Sequence, residues 1–165
     1  MELKTKVVEK MKEEFGTDQR RINHALKVLN FAERIIEGEV GGRDKKDVVI
    51  LAAVLHDIGI REAERKHNSN SGRYQEIEGP PIARRIMEEM EVEESMIERV
   101  CYIVGGHHTS SKNNGLDFQI IWEADLLVNI QEEELDKTVE NLQAVIEKNF
   151  KTSTGKKLAE KLYLE

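Results

Sequence analysis

The stretch LAAVLHDIGI, which spans Leu51 to Ile60, places a histidine and an aspartate directly after an apolar run. Eight consecutive apolar residues, Val48 to Leu55, precede His56 and Asp57. So hydrophobic a segment is expected to be buried, and burying a carboxylate without a partner costs free energy. We therefore predict that a compensating group lies beside the Asp57 side chain.

The apolar run is compatible with two kinds of secondary structure. VVILAAVL fits a buried strand of a parallel sheet as well as a buried helix. A parallel sheet needs sister strands, and the rest of the sequence offers hardly any. We therefore interpret the run as a helix that opens at Asp44 or Lys46 and continues through Val48 to His56, with Gly59 as its C-terminal breaker.

The composition is typical of a globular protein. The 165 residues suffice for one domain with a core, and the 39% hydrophobic and 35% charged residues argue against a disordered or membrane protein. No apolar run approaches the roughly 20 residues that span a bilayer, and the N-terminus has no signal-peptide h-region. The single cysteine, Cys101, excludes an intramolecular disulfide and a cysteine-based zinc site. We therefore expect a cytoplasmic protein without a membrane partner.

The charge pattern bears on the class of partner. A formal net charge of −7 argues against nucleic acid as the main partner, because such binding depends on phosphate contacts. A nucleic-acid-binding helical bundle would need a basic face, which the sequence does not offer. A small phosphorylated substrate stays compatible with an acidic protein, because a local basic pocket can hold it.

Helical periodicity recurs along the chain and predicts an all-α fold. A polar, glycine-containing stretch from Arg61 to Gly79 follows the apolar helix, and the adjacent Pro80 and Pro81 suit the first turn of the next one. We expect one domain over residues 1–165, with a core of about 18–130 and C-terminal helices at 134–164 that pack on it. The predicted helices, the last preceded by the capping candidates Ser153 and Thr154, are Leu3–Phe15, Asp18–Glu37, Val48–His56, Pro80–Met90, Glu93–Val104, Asp117–Ile130, Glu134–Phe150 and Lys156–Leu164.

Four ionisable residues on three predicted helices form the candidate site. His24 and Asp125 each lie on or beside an apolar stripe, and His56 and Asp57 end the apolar helix. Imidazole nitrogens and carboxylate oxygens together are a ligand set that suits a divalent metal. A metal held by these four residues would supply the compensating charge that Asp57 requires.

Each member of this set also has an ordinary structural interpretation. A histidine on an apolar helix, such as His24, is more often a hydrogen-bonded core residue than a ligand. Asp125 could be neutralised by an arginine or by helix N-termini. The position of His56 and Asp57 after an apolar run and before Ile-Gly is the more specific signal.

The chain resembles the HD-domain superfamily of metal-dependent phosphohydrolases, in which a histidine, a His-Asp pair and a distant aspartate recur. LAAVLHDIG resembles the end of that superfamily's characteristic helix. RRINHALKVLNFAERI resembles the helix of its first histidine, and IIWEADLLVNI that of its last aspartate. The resemblance covers about residues 18–130 and implies a compact all-α bundle. It also implies that His24, His56, Asp57 and Asp125 hold a metal ion.

Two further stretches resemble the superfamily less closely. In GGHHT, His107 and then His108 are candidates for a second metal or for the substrate phosphate. Relatives with two metals usually carry a further histidine where this sequence reads YQEIEGPP, which offers Glu76 and Glu78 instead. Ile60 stands where many relatives have a lysine, and Arg61 is one candidate to replace that cation.

The resemblance implies hydrolysis of a nucleotide or another small phosphate ester by water activated at the metal. Asp57 and Asp125 would orient or deprotonate that water, while Arg21 and His107 would neutralise charge on the phosphoryl group. We expect Arg21, His107, His108 and Arg61 to bind the substrate. The ligand set suits one ion of manganese, iron, cobalt, nickel or magnesium and leaves a second ion open. The alternative is a metal-stabilised binding or signalling module without turnover.

Overall fold

The computed structural model describes residues 2–138 and 140–165, and over these ranges the chain is α-helical without any strand. The all-α prediction is confirmed. Short 3₁₀ turns occur at Arg43–Lys45 and Ser110–Lys112. The helices are α1 Leu3–Phe15, α2 Gln19–Gly38, α3 Lys46–Leu55, α4 Ile60–His67, α5 Gly72–Glu89, α6 Glu94–Val104, α7 Leu116–Glu132, α8 Leu135–Thr138, α9 Leu142–Asn149 and α10 Ser153–Tyr163.

Helix α3 lies at the centre of the bundle, as its apolar sequence predicts. The residues from Val49 to Leu55 are each 5% exposed or less. Helices α1, α2, α6 and α7 pack around α3, so apolar side chains on every face of it find a partner. Burial of each large aliphatic side chain contributes roughly 1.5–3 kcal/mol, so this helix fixes the position of whatever follows it.

Helices α2 and α7 pack against each other and against α3. The side chain of Asp18 caps α2 by accepting from the backbone N–H of Arg21. At the start of α7, Asp117 accepts hydrogen bonds from Arg99 Nε and Nη2 at 2.8 and 2.6 Å. The first contact caps α2 and the second links α7 to α6. The packing of α2 and α7 against α3 brings three distant parts of the sequence together.

The region between α3 and α6 differs from the prediction. The polar stretch from Arg61 to Gly79 is helical for most of its length, and Pro80 and Pro81 lie inside α5 rather than in its first turn. Helix α4 was not predicted because most of its residues are charged and lie on its outer face, although its Ala63 is fully buried. A polar composition therefore marked an exposed helix face here, not a loop.

The C-terminal helices also differ from the prediction. The helix expected over Glu134–Phe150 is divided into α8 and α9, because the Asn141 side chain accepts from the Ala144 N–H and caps a new helix start. Residue 139 lies outside the described residues. Thr152, not Ser153 or Thr154, caps α10 by accepting from the Gly155 N–H at 2.9 Å.

Helix α10 packs on α2 and α7. The Tyr163 hydroxyl donates to the Leu127 carbonyl at 2.5 Å. Among the described residues, no helix combines the length and the apolar character needed to cross a membrane.

Candidate metal centre

His56 and Asp57 follow the last turn of α3, and the backbone there fixes the histidine ring. The His56 side chain is buried, and its Nδ1 lies 2.7 Å from the carbonyl oxygen of Ala53. A carbonyl can only accept, so Nδ1 carries the hydrogen and Nε2 of the neutral ring has a free lone pair. The ring is thereby oriented as a ligand through Nε2.

His24 is oriented in the same way by a residue from another helix. Its Nδ1 lies 2.7 Å from Oε1 of Glu132, the last residue of α7. The carboxylate accepts the Nδ1 hydrogen, which leaves the Nε2 lone pair directed towards His56. A carboxylate on the outer nitrogen of a histidine is the usual companion of a metal-binding imidazole.

The four predicted ligands lie around the two Nε2 atoms, and ligand atoms of His24, His56 and Asp57 all lie within 4.8 Å of one another. Nε2 of His24 lies 3.3 Å from Nε2 of His56. Oδ1 of Asp125 is 3.0 Å from the first nitrogen and 3.3 Å from the second. Oδ2 of Asp57 is 3.3 Å from both nitrogens. Two ligands at right angles on an ion with bonds of about 2.1 Å lie about 3 Å apart, so this spacing fits a single divalent cation.

The donor chemistry of the cluster supports the same conclusion. With both Nδ1 hydrogens directed outwards, the neutral rings and ionised carboxylates present four electron-pair donors to one another in a largely buried space. This arrangement is repulsive unless a cation or added protons lie between the groups. A metal ion of mixed nitrogen and oxygen preference therefore fits these residues.

The titration behaviour of the cluster follows from its charges. Burial lowers the pKa of His56, but the negative charges of Asp57 and Asp125 outweigh it and raise that pKa well above its ordinary value. Burial acts to raise the pKa of both carboxyl groups, yet the charge of His56 and hydrogen bonds from the neighbouring histidines hold the pKa of Asp57 and Asp125 below the usual range. The two carboxylates thus stay ionised and favour a positive charge beside them, whether a proton on His56 or a cation.

His107 extends the cluster on the other side of Asp57. Its ring is buried, Nδ1 lies 2.8 Å from the Val104 carbonyl, and Nε2 lies 3.2 Å from Oδ1 of Asp57. The nitrogen and oxygen atoms that Asp57, His107 and His108 offer all lie within 4.8 Å of one another. Asp57 therefore directs Oδ2 towards His24 and His56, and Oδ1 towards the second group, which contains His107 and His108.

His108 is held by Gln75 at the mouth of this second group. The Gln75 amide donates to the Asn70 carbonyl at 2.6 Å, so its oxygen accepts from His108 Nε2 at 3.1 Å. This assignment leaves Nδ1 of His108 with a lone pair. A Cβ at Gly72 would lie 2.7 Å from His108 Cγ, so a side chain fits at this position only if the His108 ring shifts.

The two glutamates of YQEIEGPP are engaged elsewhere. Glu76 accepts from the backbone N–H of His108 and from the Thr109 hydroxyl, both at 2.9 Å, and so holds the GGHHT turn in place. Glu78 pairs with Lys66 and His67 at 3.2 and 2.9 Å. These contacts give both glutamates structural partners outside the ligand clusters.

The two predicted substrate-binding arginines differ in position. Arg21 lines the cleft beside His24, although its guanidinium already donates to both carboxylate oxygens of Glu64, at 2.7 and 3.1 Å. Arg61 does not reach the cleft, because its Nη1 donates to the carbonyls of Glu14 and Phe15 at 3.0 and 2.6 Å. The structure therefore does not bring Arg61 together with the other site residues.

Two cavities adjoin the cluster. One, of about 290 Å³, is here called the charged cavity and has Arg20, Arg21, Glu132 and Glu133 in its wall. The other, of about 190 Å³, is here called the tryptophan cavity and is lined by Trp122, Leu126, Asn129 and Asn149 together with His107, His108 and Asp125.

Three residues of α7 that lie around Asp125 were not predicted from the sequence. Trp122 precedes Asp125 by three positions, and Asn129 and Glu132 follow it by four and seven. Such spacings place side chains on one face of a helix. Applied outwards from Asp125, this spacing would have identified all three as neighbours of the site.

The fold and the site together define the class of protein. The HD domain family model matches residues 21–160, which is most of the chain. The chain therefore belongs to the HD domain family, a family of metal-dependent hydrolases, and the resemblance seen in the sequence is confirmed.

The structure is similar to a solved one. It is the crystal structure of a predicted HD superfamily hydrolase from an uncultured Thermotogales bacterium. The match covers 96% of this chain and 83% of the chain of that protein, with a TM-score of 0.68 and 23% sequence identity. At this identity the likeness establishes the fold. No curated protein matches the sequence.

Proposed function

We propose that this protein is a metal-dependent phosphohydrolase that acts on a nucleotide or another small phosphate ester. The observation that carries the proposal is that one oxygen of Asp57 and one of Asp125 each lie 3.0–3.3 Å from both Nε2 atoms, which are 3.3 Å apart. The Nδ1 atom of each ring is hydrogen-bonded on the opposite side. An ordinary core histidine needs one hydrogen-bond partner for each nitrogen, whereas here the two Nε2 atoms lie 3.3 Å apart and share two carboxylates.

His24, His56, Asp57 and Asp125 would hold the ion. A divalent ion bound there lowers the pKa of a coordinated water and polarises a phosphoryl oxygen. The mixed nitrogen and oxygen ligands suit manganese, iron, cobalt, nickel or magnesium. The proposed catalytic residues include Asp57, Asp125 and His107. The two carboxylates would orient the attacking water, and His107 would neutralise charge that develops on the phosphoryl group.

The charged cavity supports binding of the phosphoryl group next to the cluster. Arg20 and Arg21 lie in its wall and would place positive charge beside a phosphate, although Arg21 shares its charge with Glu64. His108 and Gln75 lie in the same wall and offer polar contacts. The second group of ligand atoms, on Asp57, His107 and His108, would accommodate a second ion or a phosphate oxygen.

The proposal is tested by metal analysis of the purified protein followed by a phosphate-release screen with several divalent ions. Nucleotides, polyphosphates and cyclic dinucleotides make up the panel. We expect bound metal and metal-dependent release of phosphate. Metal without turnover across the panel would favour the non-catalytic binding module, and protein that binds no divalent ion would contradict the site itself.

A matched pair of variants separates the site from general effects on the fold. His56→Gln removes a proposed ligand and should abolish metal binding and turnover. His67→Gln makes the same change at a histidine that stacks on Tyr74 outside the ligand clusters, with ring centroids 4.1 Å apart. The second variant should keep both properties.

A further inference from the structure

The tryptophan cavity differs in chemistry from the charged cavity, although the two adjoin at Asp125, His108 and Asn129. Two arginines and two glutamates lie in the wall of the charged cavity. The tryptophan cavity has an indole, a leucine and two amides in its wall, together with Asp125, His107 and His108. Small-molecule sites commonly combine apolar and aromatic walls with a few polar groups that fix orientation. The tryptophan cavity has this character, and the charged cavity does not.

The walls of the tryptophan cavity are held in place by hydrogen bonds. Trp122 Nε1 donates to Asn149 Oδ1 at 3.2 Å, and Asn149 Nδ2 donates to the Val145 carbonyl at 2.8 Å. The carbonyl of Asn149 accepts from Gln119 Nε2 at 2.9 Å. These contacts connect the end of α9 to α7, so the indole and the Asn149 amide keep their relative positions without a ligand.

The buried carboxylate of Glu123 also holds this wall of the tryptophan cavity in place. Glu123 is fully buried and accepts from the backbone N–H groups of Lys151 and Thr152 at 2.7 and 2.9 Å. The Thr152 hydroxyl also donates to it at 2.6 Å. The connection between α9 and α10 is therefore fixed to α7 directly beside Trp122. Such preorganisation lowers the entropic cost of binding a ligand.

Asn129 has its amide available. It follows Asp125 by one helical turn and lines both cavities. Its side chain makes no hydrogen bond to any residue within 2–138 or 140–165. An amide offers two donors and an acceptor, and an unengaged one between two cavities can bind a ligand that extends through both.

We propose that the tryptophan cavity binds the organic group of the substrate, and that this group is a planar heteroaromatic ring of the nucleobase kind. The orientation rests on the proposed phosphohydrolase function, which places the phosphoryl group at the metal cluster and the charged cavity. The ring lies against Trp122 and Leu126, and Asn129 donates to the atoms that join the ring to the phosphoryl group. Asn149 Oδ1, which already accepts from Trp122 Nε1, has a second lone pair for a donor at the edge of the ring.

The chemistry of the walls favours a base over a second phosphoryl group. An indole face binds a flat π-system by stacking, and amides pair with the donor and acceptor edges of a base. A second phosphoryl group would enter a wall without arginine or lysine and would lie beside Asp125. The cavity therefore selects against inorganic polyphosphates.

The single tryptophan of the sequence makes the test direct, because all indole fluorescence comes from Trp122. Wild-type protein, with and without added divalent metal, is titrated with adenosine, guanosine, cytidine and uridine, which carry no phosphate. We expect a saturable change in fluorescence with at least one nucleoside and none with ribose or inorganic phosphate. Absence of saturable binding for all four nucleosides, by fluorescence and by calorimetry, would overturn the proposal.

Variants identify the surface that binds. Asn129→Ala should weaken nucleoside binding on the order of tenfold, and Leu126→Phe should block it by filling the cavity. Asn23→Ala makes the matched change at an exposed asparagine that bonds only to Gln19 among the described side chains, and should leave binding unchanged. Equal weakening in the Asn23 and Asn129 variants would contradict the assignment.

Failure of this inference is distinguishable from failure of the proposed function. Nucleoside binding without phosphate release from any substrate would contradict the phosphohydrolase and support the cavity assignment. Equal turnover of nucleoside monophosphates and ribose 5-phosphate, without nucleoside binding, would support the phosphohydrolase and overturn the cavity assignment.

Discussion

Glu132 Oε1 lies 2.7 Å from Nδ1 of His24, across 108 positions of sequence. The same carboxylate lies 3.8 Å from Lys27 Nζ, and its side chain is 27% exposed. Helix α7 therefore supplies both a proposed ligand, Asp125, and the acid that orients a ligand on α2. The geometry of the site depends on how α2 and α7 pack.

Replacement of Glu132 by alanine should lower metal affinity about 10–100-fold, the usual cost of removing the outer partner of a metal-binding histidine. The His24 ring loses its fixed tautomer and orientation while all four ligands stay. Glu132→Gln keeps an acceptor and should lose less. Calorimetric titration of the metal-free variants with manganese measures the effect.

Glu133→Ala is the control for this prediction, because Glu133 lines the same cavity without a contact to His24. Its metal affinity should match that of the wild type. Equal affinity in the Glu132 and Glu133 variants would show that Glu132 does not orient the ligand.

Metal affinity should fall as the pH is lowered, and the fall should begin above the ordinary histidine pKa of about 6.5. Burial lowers the pKa of His24, but its hydrogen bond with Asp125 and the charge of Asp57 raise it overall. The pKa of His56 is raised too, so in the metal-free protein protons compete for both Nε2 atoms at higher pH than usual. Calorimetric titrations over a series of pH values measure this competition, and an affinity independent of pH would contradict ligation by these histidines.

Replacement of Asp117 by asparagine should destabilise the protein by about 1–3 kcal/mol at neutral pH, because it breaks a hydrogen-bonded pair with Arg99. Burial raises the pKa of Asp117, but hydrogen bonds from Arg99 and from the Phe118 N–H outweigh it and lower that pKa. A lowered folded-state pKa contributes stability above the unfolded-state value, and this stability is lost as the pH falls through the folded-state value.

Urea unfolding at neutral and acid pH tests the Asp117 prediction. The stability difference between wild type and variant should shrink at acid pH. Arg99→Gln should remove the same pH dependence. A difference that stays constant with pH would identify another source for the destabilisation.

Replacement of Gly59 by alanine should destabilise the protein by about 1–3 kcal/mol, the usual cost of overpacking. A Cβ at this position would lie 2.4 Å from the backbone nitrogen of Gly79 and 2.6 Å from its Cα. Backbone cannot rotate away, so α4 and α5 must separate, two residues after Asp57. Gly72→Ala is the comparison, because there the added methyl meets the His108 ring, which can move.

Urea unfolding and metal titration together measure the Gly59 effect. Gly59→Ala should lose more stability and more metal affinity than Gly72→Ala. The reverse order would show that the close approach of α4 and α5 is not what positions Asp57.

Features that depend on residues close together in the sequence could be predicted. The apolar run of α3 and the position of His56 and Asp57 at its end could be predicted because burial and helix termination depend on neighbouring residues. His24 and Asp125 were grouped with His56 and Asp57 because they lie on or beside apolar stripes, and the family resemblance supported that grouping. Their distance from each other depends on the packing of α2 against α7, which the sequence does not give.

The errors have physical reasons of the same kind. The short α4 was hidden by its charged outer face, and Arg61 was expected at the site although its side chain reaches the end of α1 instead. Glu132 and Asn129 were missed because their roles appear only when α7 is oriented against α2. The helical spacing of these two residues from Asp125 identifies them as neighbours of the site, but only after Asp125 itself has been assigned to the site.

Metal binding by these four residues is tested most directly by the position of the metal in crystals of the manganese-loaded protein, located by anomalous scattering. We expect a peak at about 2.0–2.2 Å from Nε2 of His24, Nε2 of His56, Oδ2 of Asp57 and Oδ1 of Asp125. A manganese peak elsewhere, or none between these four atoms, would contradict this prediction.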